Sequence, residues 1–272
     1  MDGRSPGRER GGQAVAVTPD PGRGEVNRVD RASFTIGSIP PVSAYDAIAR
    51  LYDPWSRSVV EDVPFYVAEA RRSGGPVLEL GVGTGRIAIP TAAAGIAVVG
   101  VDRSEGMLEI AREAAALAGV ELDLRHGDLR DPPVDERYPL VTIPFRSLLH
   151  METDADRRTA LQAVRARLAP DGRFAFDVFA PGSDDIAETH GRWLEREPGI
   201  WERADWDEEN RTLILRVRGS DAESEMSLAW LSVGEWRLLL ADEGFEVESL
   251  YGWFDRSPWR GGEDSVWICK AG

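Results

Sequence analysis

The 272-residue chain has a single cysteine, Cys269, so no disulfide can form within it and no thiolate zinc site can be built. Its three histidines, His126, His150 and His190, are too few and too scattered to compose a metal centre, and no metal is expected. Lys270 is the single lysine; positive charge is otherwise arginine, as a GC-rich coding bias would produce. Basic residues number 32 against 47 acidic ones, a net charge of −15. With no basic stripe in the folded part, a phosphate backbone would be repelled, so nucleic acid is not expected as a partner. No apolar run reaches the length of a membrane span, and the N-terminus lacks an apolar signal core. A soluble cytoplasmic protein with no membrane partner is the expectation, with monomer and homodimer both open.

Residues 1–38 carry Gly, Pro, Arg and Asp with almost no large apolar side chain. Such a composition cannot offset its ordering entropy, and the stretch reads as a disordered tail. The remainder is long enough for one α/β domain with an insertion. From residue 45 the pattern changes: Tyr45, Ile48, Leu51, Tyr52 and Trp55 recur at helical spacing.

What the chain does have is Val77-Leu78-Glu79-Leu80-Gly81-Val82-Gly83-Thr84-Gly85-Arg86. A short apolar run ending in alternating glycines reads as a strand, a tight turn and a helix start. Glycines there let the backbone approach a bulky ligand, and the helix N-terminus offers free N–H donors. The next buried strand, 97–101, ends at Asp102, where a carboxylate can accept both hydroxyls of a ribose. The dinucleotide fingerprint requires glycine at its sixth place, and Arg86 stands there instead. A nucleoside other than NAD is therefore expected.

With Glu79 two residues before the first glycine, this segment resembles the first motif of the class I S-adenosylmethionine (SAM)-dependent methyltransferases. Ser104-Glu105-Gly106-Met107-Leu108, Gly127-Asp128-Leu129 and Leu168-Ala169-Pro170-Asp171-Gly172 resemble later segments of the same family. The resemblance covers residues 45–272 and implies SAM as cofactor, with S-adenosylhomocysteine as product. It implies a cofactor site of Glu79, Gly81, Gly83, Gly85 and Arg86 in the loop, with Asp102 on the ribose beside Arg103. Met107 would pack on adenine, Asp128 would take its amino group, and the Leu129 N–H would reach the ring. Pro144 and Phe145 would close the site after the fourth strand. Tyr45 and Tyr52 would stand on a helix that folds over the cofactor, with Tyr52 near the methyl donor; an ordinary packing helix is the other reading.

Strands and helices alternate along 77–180, as in a parallel sheet with helices on both faces. Strands are expected at 120–125 and 138–145, and Pro170-Asp171-Gly172 is expected to turn the chain into a fifth. Helices are expected at 104–118 and 153–168. Ser232-Val233-Gly234-Glu235 is a capping box opening a helix over 236–243, followed by strands at 245–253 and 264–270. The fold class expected is a Rossmann-like seven-stranded methyltransferase sheet with a small antiparallel β insertion. The corresponding divisions are a core at 39–180, a substrate-covering insertion at 181–231 and a completing segment at 232–272.

Inside the insertion, 192–196, 200–206 and 212–218 read as short strands, with Asp207-Glu208-Glu209-Asn210 as a turn. Trp193, Trp201 and Trp230 either fill sheet faces or form an aromatic wall for the acceptor. His150, at the end of Pro144-Phe145-Arg146-Ser147-Leu148-Leu149-His150, resembles a histidine that sugar-amine N-methyltransferases place beside the acceptor; it either accepts the acceptor's proton or packs under the loop. Tyr52 is paired with it as the second catalytic candidate. Arg146 either holds an acceptor carboxylate or pairs with a surface acid. Two departures from the family pattern lie nearby: Pro139 follows Tyr138 where an acid is usual, and Leu228-Ala229-Trp230-Leu231 lacks the usual arginine. The function expected is methyl transfer to N or O of a small-molecule acceptor. A protein or RNA acceptor, or a non-enzymatic SAM-binding role, are the alternatives.

Overall fold

The computed structural model describes residues 43–57 and 60–272. The stretch expected to be disordered, 1–38, lies outside the described residues.

The strands of the main sheet are β1 (Val77–Leu80), β2 (Val98–Asp102), β3 (Asp123–His126), β4 (Tyr138–Ile143) and β5 (Leu168–Phe179). β6 (Trp193–Glu197), β7 (Ile200–Asp207), β8 (Thr212–Arg218) and β9 (Glu223–Ala229) make a second sheet. β10 (Phe245–Tyr251) and β11 (Asp264–Ala271) return to the first. Its seven strands run in the order β10-β11-β5-β4-β1-β2-β3, with β11 antiparallel to both of its neighbours. β1 is buried throughout, and β4 nearly so, because a central parallel strand is covered on both faces. The order reverses between β1 and β4, which opens a crevice beyond their carboxyl ends.

Helices α1 (Ala49–Ser56), α2 (Asp62–Ser73), α3 (Ala88–Ala93), α4 (Glu105–Ala118), α5 (Asp154–Arg167), α6 (Ser183–Thr189) and α7 (Val233–Asp242) complete the chain. Local caps fix three starts: Ser104 accepts from the Met107 N–H, Thr153 from the Asp156 N–H, and Ser232 with Glu235 forms the expected capping box. Under α7 the core is aromatic: Phe176 stacks on Phe174 at 4.8 Å and on Trp267 at 5.7 Å, with Trp236 tilted against it. None of the described helices is long and apolar enough to cross a membrane.

The second sheet, β6-β7-β8-β9, is antiparallel throughout. Along β8 burial alternates, so Leu213, Leu215 and Val217 join the main core while Ile214 and Arg216 face outward. The cover built on Asp46–Ile48 and α1 touches this sheet: Trp55 Nε1 donates to Glu202 at 2.8 Å, and the Ser224 hydroxyl donates to the Ala44 carbonyl.

Three expectations need correction. The fourth strand ends at Ile143, because Phe145 and Arg146 both have left-handed backbone (φ 53° and 63°) and leave the sheet. The third is shorter and lies further on, at Asp123–His126. Pro170-Asp171-Gly172 sits within β5 as a bulge: Tyr138 pairs with Leu168 but Leu140 pairs with Arg173, and Asp171 has φ 61°. Pro139 falls at the same irregularity in β4, where a missing N–H costs the ladder little.

Candidate cofactor and acceptor site

The loop after β1 is pinned to β2 by two backbone bonds, with the Gly81 and Val82 N–H groups both donating to the Val101 carbonyl. Gly81 and Gly83 take left-handed backbone (φ 75° and 56°), and a Cβ on Gly81 would stand 2.9 Å from the Ser147 hydroxyl. The loop therefore passes the β4 turn at backbone contact and leaves its open side to a cleft of about 270 Å³. Asp102 stands at the end of β2 on the wall of that cleft. Its two oxygens accept the Gly83 and Ser104 N–H groups, each at 2.8 Å, and keep lone pairs for further donors. Burial raises its pKa, and those backbone bonds oppose the rise. Arg103, Met107, Gly127 and Leu129 extend the same wall.

Three carboxylates from the N-terminal cover clasp these loops. Asp46 accepts from the Ser104 hydroxyl at 2.5 Å and the Gly106 N–H at 3.0 Å. Asp53 on α1 accepts from the Thr84 hydroxyl at 2.5 Å. Asp62, buried at the start of α2, takes both ends of the Arg86 guanidinium at 2.7 and 2.5 Å. Sequence reasoning missed all three acids. Asp46 and Asp53 do carry a sequence signal, the segment Tyr45-Asp46-x-x-Ala49-x-x-Tyr52-Asp53, which resembles the family's opening segment; Asp62 carries none.

The turn after β4 is held by Asp177 of β5. That buried carboxylate accepts the Phe145 N–H at 2.8 Å and the Arg146 N–H at 3.1 Å, and the Tyr66 hydroxyl donates to it at 2.6 Å. Burial pushes Asp177 up to about 6. Two successive left-handed residues without glycine cost about 1–3 kcal/mol each, which the anchored N–H groups offset. The turn presents Phe145 and, through a 3-10 turn over Ser147–His150, His150 to the cleft. Phe145, Tyr52, Tyr45 and His150 then follow one another edge to face, at ring separations of 6.3, 5.8 and 5.5 Å.

His150 has both ring nitrogens occupied. Nδ1 lies 3.1 Å from the Ser227 carbonyl of β9, which can only accept, so Nδ1 carries the proton. Nε2, 2.9 Å from the Tyr45 oxygen, therefore accepts the tyrosine proton. Burial lowers His150 to about 4 and raises Tyr45 above the ordinary phenol range.

A methyltransferase-domain family model matches residues 77–172. Over 227 residues the chain is 25% identical to the cypemycin N-terminal methyltransferase of a Streptomyces species, covering 80% of this chain and 90% of that protein. Against further curated methyltransferases the match spans about half of their length. The CcbJ methyltransferase from Streptomyces caelestis superposes with a TM-score of 0.68 at 24% identity, over 79% of this chain and 97% of that one. An S-adenosylmethionine-dependent methyltransferase from Clostridium acetobutylicum gives 0.70 at 15% identity, over 85% and 100%. Residues 77–172 are a methyltransferase domain, and the chain has the fold of the class I S-adenosylmethionine-dependent methyltransferases.

In this methyltransferase the cradle at Gly81 and Gly83, facing a carboxylate with free lone pairs, fits the adenosine part of SAM. Tyr45, Tyr52, Gly81, Gly83, Asp102, Arg103, Met107, Leu129, Phe145 and His150 all line the one cleft. Glu79, Arg86 and Pro144 line a smaller recess beneath the loop, shared with Tyr52 and Phe145. Burial pushes Glu79 up to about 8 against the opposing pull of Arg86. Gly85 lies in neither lining; a Cβ there would meet Ile89 at 3.1 Å, so it serves loop–helix packing.

The other expected contacts are engaged elsewhere. Asp128 is gripped by Arg130 at 2.7 and 3.0 Å, and its neighbours Gly127 and Leu129, not Asp128 itself, line the cleft. Arg146 pairs with Asp264 at 2.8 Å over the Phe179 ring, the surface-acid reading. None of Trp193, Trp201 and Trp230 lines the cleft. Trp193 lies under Arg218, Trp230 is buried edge-on against Trp206, and Trp201 sits in β7 between Glu195 and Arg218. The insertion reaches the cleft instead through Glu225, Met226 and Ser227 of β9, and the aromatic wall comes from the cover and the β4 turn. Among the described residues no group of three or more His, Cys, Asp and Glu is arranged to hold a metal ion.

Proposed function

We propose that the enzyme transfers the methyl group of SAM to a nitrogen or oxygen of a small-molecule acceptor. The supporting observation is the cleft itself, walled on one side by Gly81, Gly83 and Asp102 and on the other by Tyr45, His150, Met226 and Ser227. A space bounded by a cover and a second sheet admits a small molecule or a chain end more readily than a folded surface. The relative from Streptomyces, named as an N-terminal methyltransferase, supports a chain end among such acceptors. In this reading 39–180 is the cofactor core, 181–231 covers the acceptor and 232–272 completes the sheet.

Asp102 holds the ribose hydroxyls, with Met107 and Leu129 against the adenine. Glu79, in the recess beneath the loop, receives the ammonium of the methionyl part. When bound, SAM supplies an electrophilic methyl group on a sulfonium. Tyr52 and Phe145 line the cleft beside that cation with aromatic surface and exclude water from it. Tyr45 and His150 orient the acceptor. Positioning and desolvation carry the reaction. Incubating the chain with methyl-labelled SAM and a panel of amines, alcohols and phenols tests the reading: label in a small acceptor supports it, and label confined to added protein or RNA overturns it.

A further inference from the structure

Resting on that reading, we propose that the acceptor is an amine: its nitrogen gives an N–H to the Tyr45 hydroxyl oxygen, and the Tyr45–His150 pair holds it in line without taking its proton. The geometry is a closed chain of donors. The Ser227 carbonyl takes the Nδ1 proton of His150, and Nε2 takes the Tyr45 proton. Tyr45 has then spent its one donor, and its oxygen keeps lone pairs. The group that this pair offers to the cleft is therefore an acceptor of hydrogen bonds with no vacant basic nitrogen behind it.

An amine and a hydroxyl differ at this point. As an amine nitrogen forms the N–CH3 bond, the S–CH3 bond breaks and its electron pair stays on sulfur. The positive charge moves to nitrogen, and the product ammonium carries its proton out to water. A hydroxyl oxygen reacting in the same way must lose a proton to the protein as it reacts. Here that proton would have to enter the Tyr45–His150 pair. Burial disfavours charge on both members, lowering the imidazole's affinity for a second proton and raising the phenol's hold on its own. The charged groups around the pair agree. Glu152 and Glu225 border the cleft beside it, Arg103 lines the wall nearer Asp102, and Arg216 draws Glu225 at 2.6 Å. An ammonium attracted from solution by these acids leaves its proton with water before its neutral nitrogen seats at Tyr45, and the positive charge of Arg103 further opposes protonating the histidine.

Nitrogen-15 NMR of the full chain, labelled in histidine and saturated with S-adenosylhomocysteine, tests this without an acceptor. The His150 signal is identified by its loss in His150→Gln. It should remain neutral with the proton on Nδ1 from pH 5 to pH 9. Titration of His150 between pH 6 and 8, or a proton on Nε2, overturns the proposal. Tyramine, which offers an amine and a phenol in one molecule, and matched amino and hydroxy sugars give the second arm: methyl on nitrogen supports the proposal, and methyl on oxygen overturns it. With a methylated amine in hand, Tyr45→Phe should lower kcat/KM about five- to tenfold, with its pH dependence unchanged. A fall in kcat of about 10²-fold would show a proton relay instead and overturn the proposal. A chain that fails to bind SAM would strike the underlying reading, and the histidine tautomer would stand apart from it.

Discussion

The Thr84 hydroxyl donates to the Asp53 carboxylate at 2.5 Å, joining the glycine loop to helix α1 of the cover. Thr84 is buried, so neither partner can be replaced by water without local opening. With Asp46 on the α4 N-terminus and Asp62 on Arg86, the bond makes the cover a clasp over the nucleoside loops. Removing a charge-assisted bond of this kind costs about 1.5–3 kcal/mol. Thr84→Val should therefore lower the melting temperature and weaken SAM binding, read by thermal melts and calorimetry. Unchanged affinity would show that the clasp has no part in holding the cofactor.

Glu79 gives a pH prediction whose sign is fixed by burial. Its carboxyl titrates at about 8 in the fold against an ordinary 4.5, so between those values the folded chain holds a proton that the unfolded chain has lost. Stability therefore falls as pH rises through that window, and Asp177 adds to the fall up to about 6. Glu79→Gln should flatten the profile, leaving the apo-protein at pH 8 at least as stable as the parent. SAM affinity of the parent should rise toward pH 8, as the ionised carboxylate becomes available to the ammonium. Urea melts at pH 5 and pH 8 with calorimetry on both proteins check this; parallel profiles would remove Glu79 from that role.

The parts of this chain legible in the sequence are those written in local chemistry. Gly81-Val82-Gly83 specifies its own backbone, Asp102 follows a buried strand at fixed distance, and Ser232 with Glu235 caps its own helix. What was not legible depends on partners far along the chain. Asp177 reaches a turn 31 residues away, and His150 finds Tyr45 105 residues away and Ser227 77 away. Tyr52, expected beside His150, is separated from it by Tyr45 in the ring sequence. β9 escaped notice because its inward face opens on Ser224, so the apolar alternation starts late. The tryptophans misled because size and aromaticity do not say which side of a sheet a residue faces.

Asp177 should prove to be the anchor of the β4 turn. Asp177→Asn exchanges one accepting oxygen for an amide donor that faces an N–H, leaving either Phe145 or Arg146 unpaired in a left-handed conformation. A loss of about 1–3 kcal/mol is expected, with faster hydrogen exchange at those two amides. Exchange rates equal to the parent's would show that the turn holds itself.

Asp102→Ala should weaken SAM binding by about 1–3 kcal/mol, since it removes the ribose partner together with the acceptor of the Gly83 N–H. Gly83→Val should do at least as much, because a β-branched residue resists the left-handed backbone there. Parent-like affinity in both variants would move the nucleoside away from the glycine loop.

The central claim is that the cleft beside Gly81, Gly83 and Asp102 is built for SAM, and titration calorimetry of the full chain tests it most directly. SAM and S-adenosylhomocysteine should bind at micromolar or tighter levels, about −8 kcal/mol or better, while NAD gives no heat beyond dilution. NAD binding in the absence of SAM binding would contradict the account.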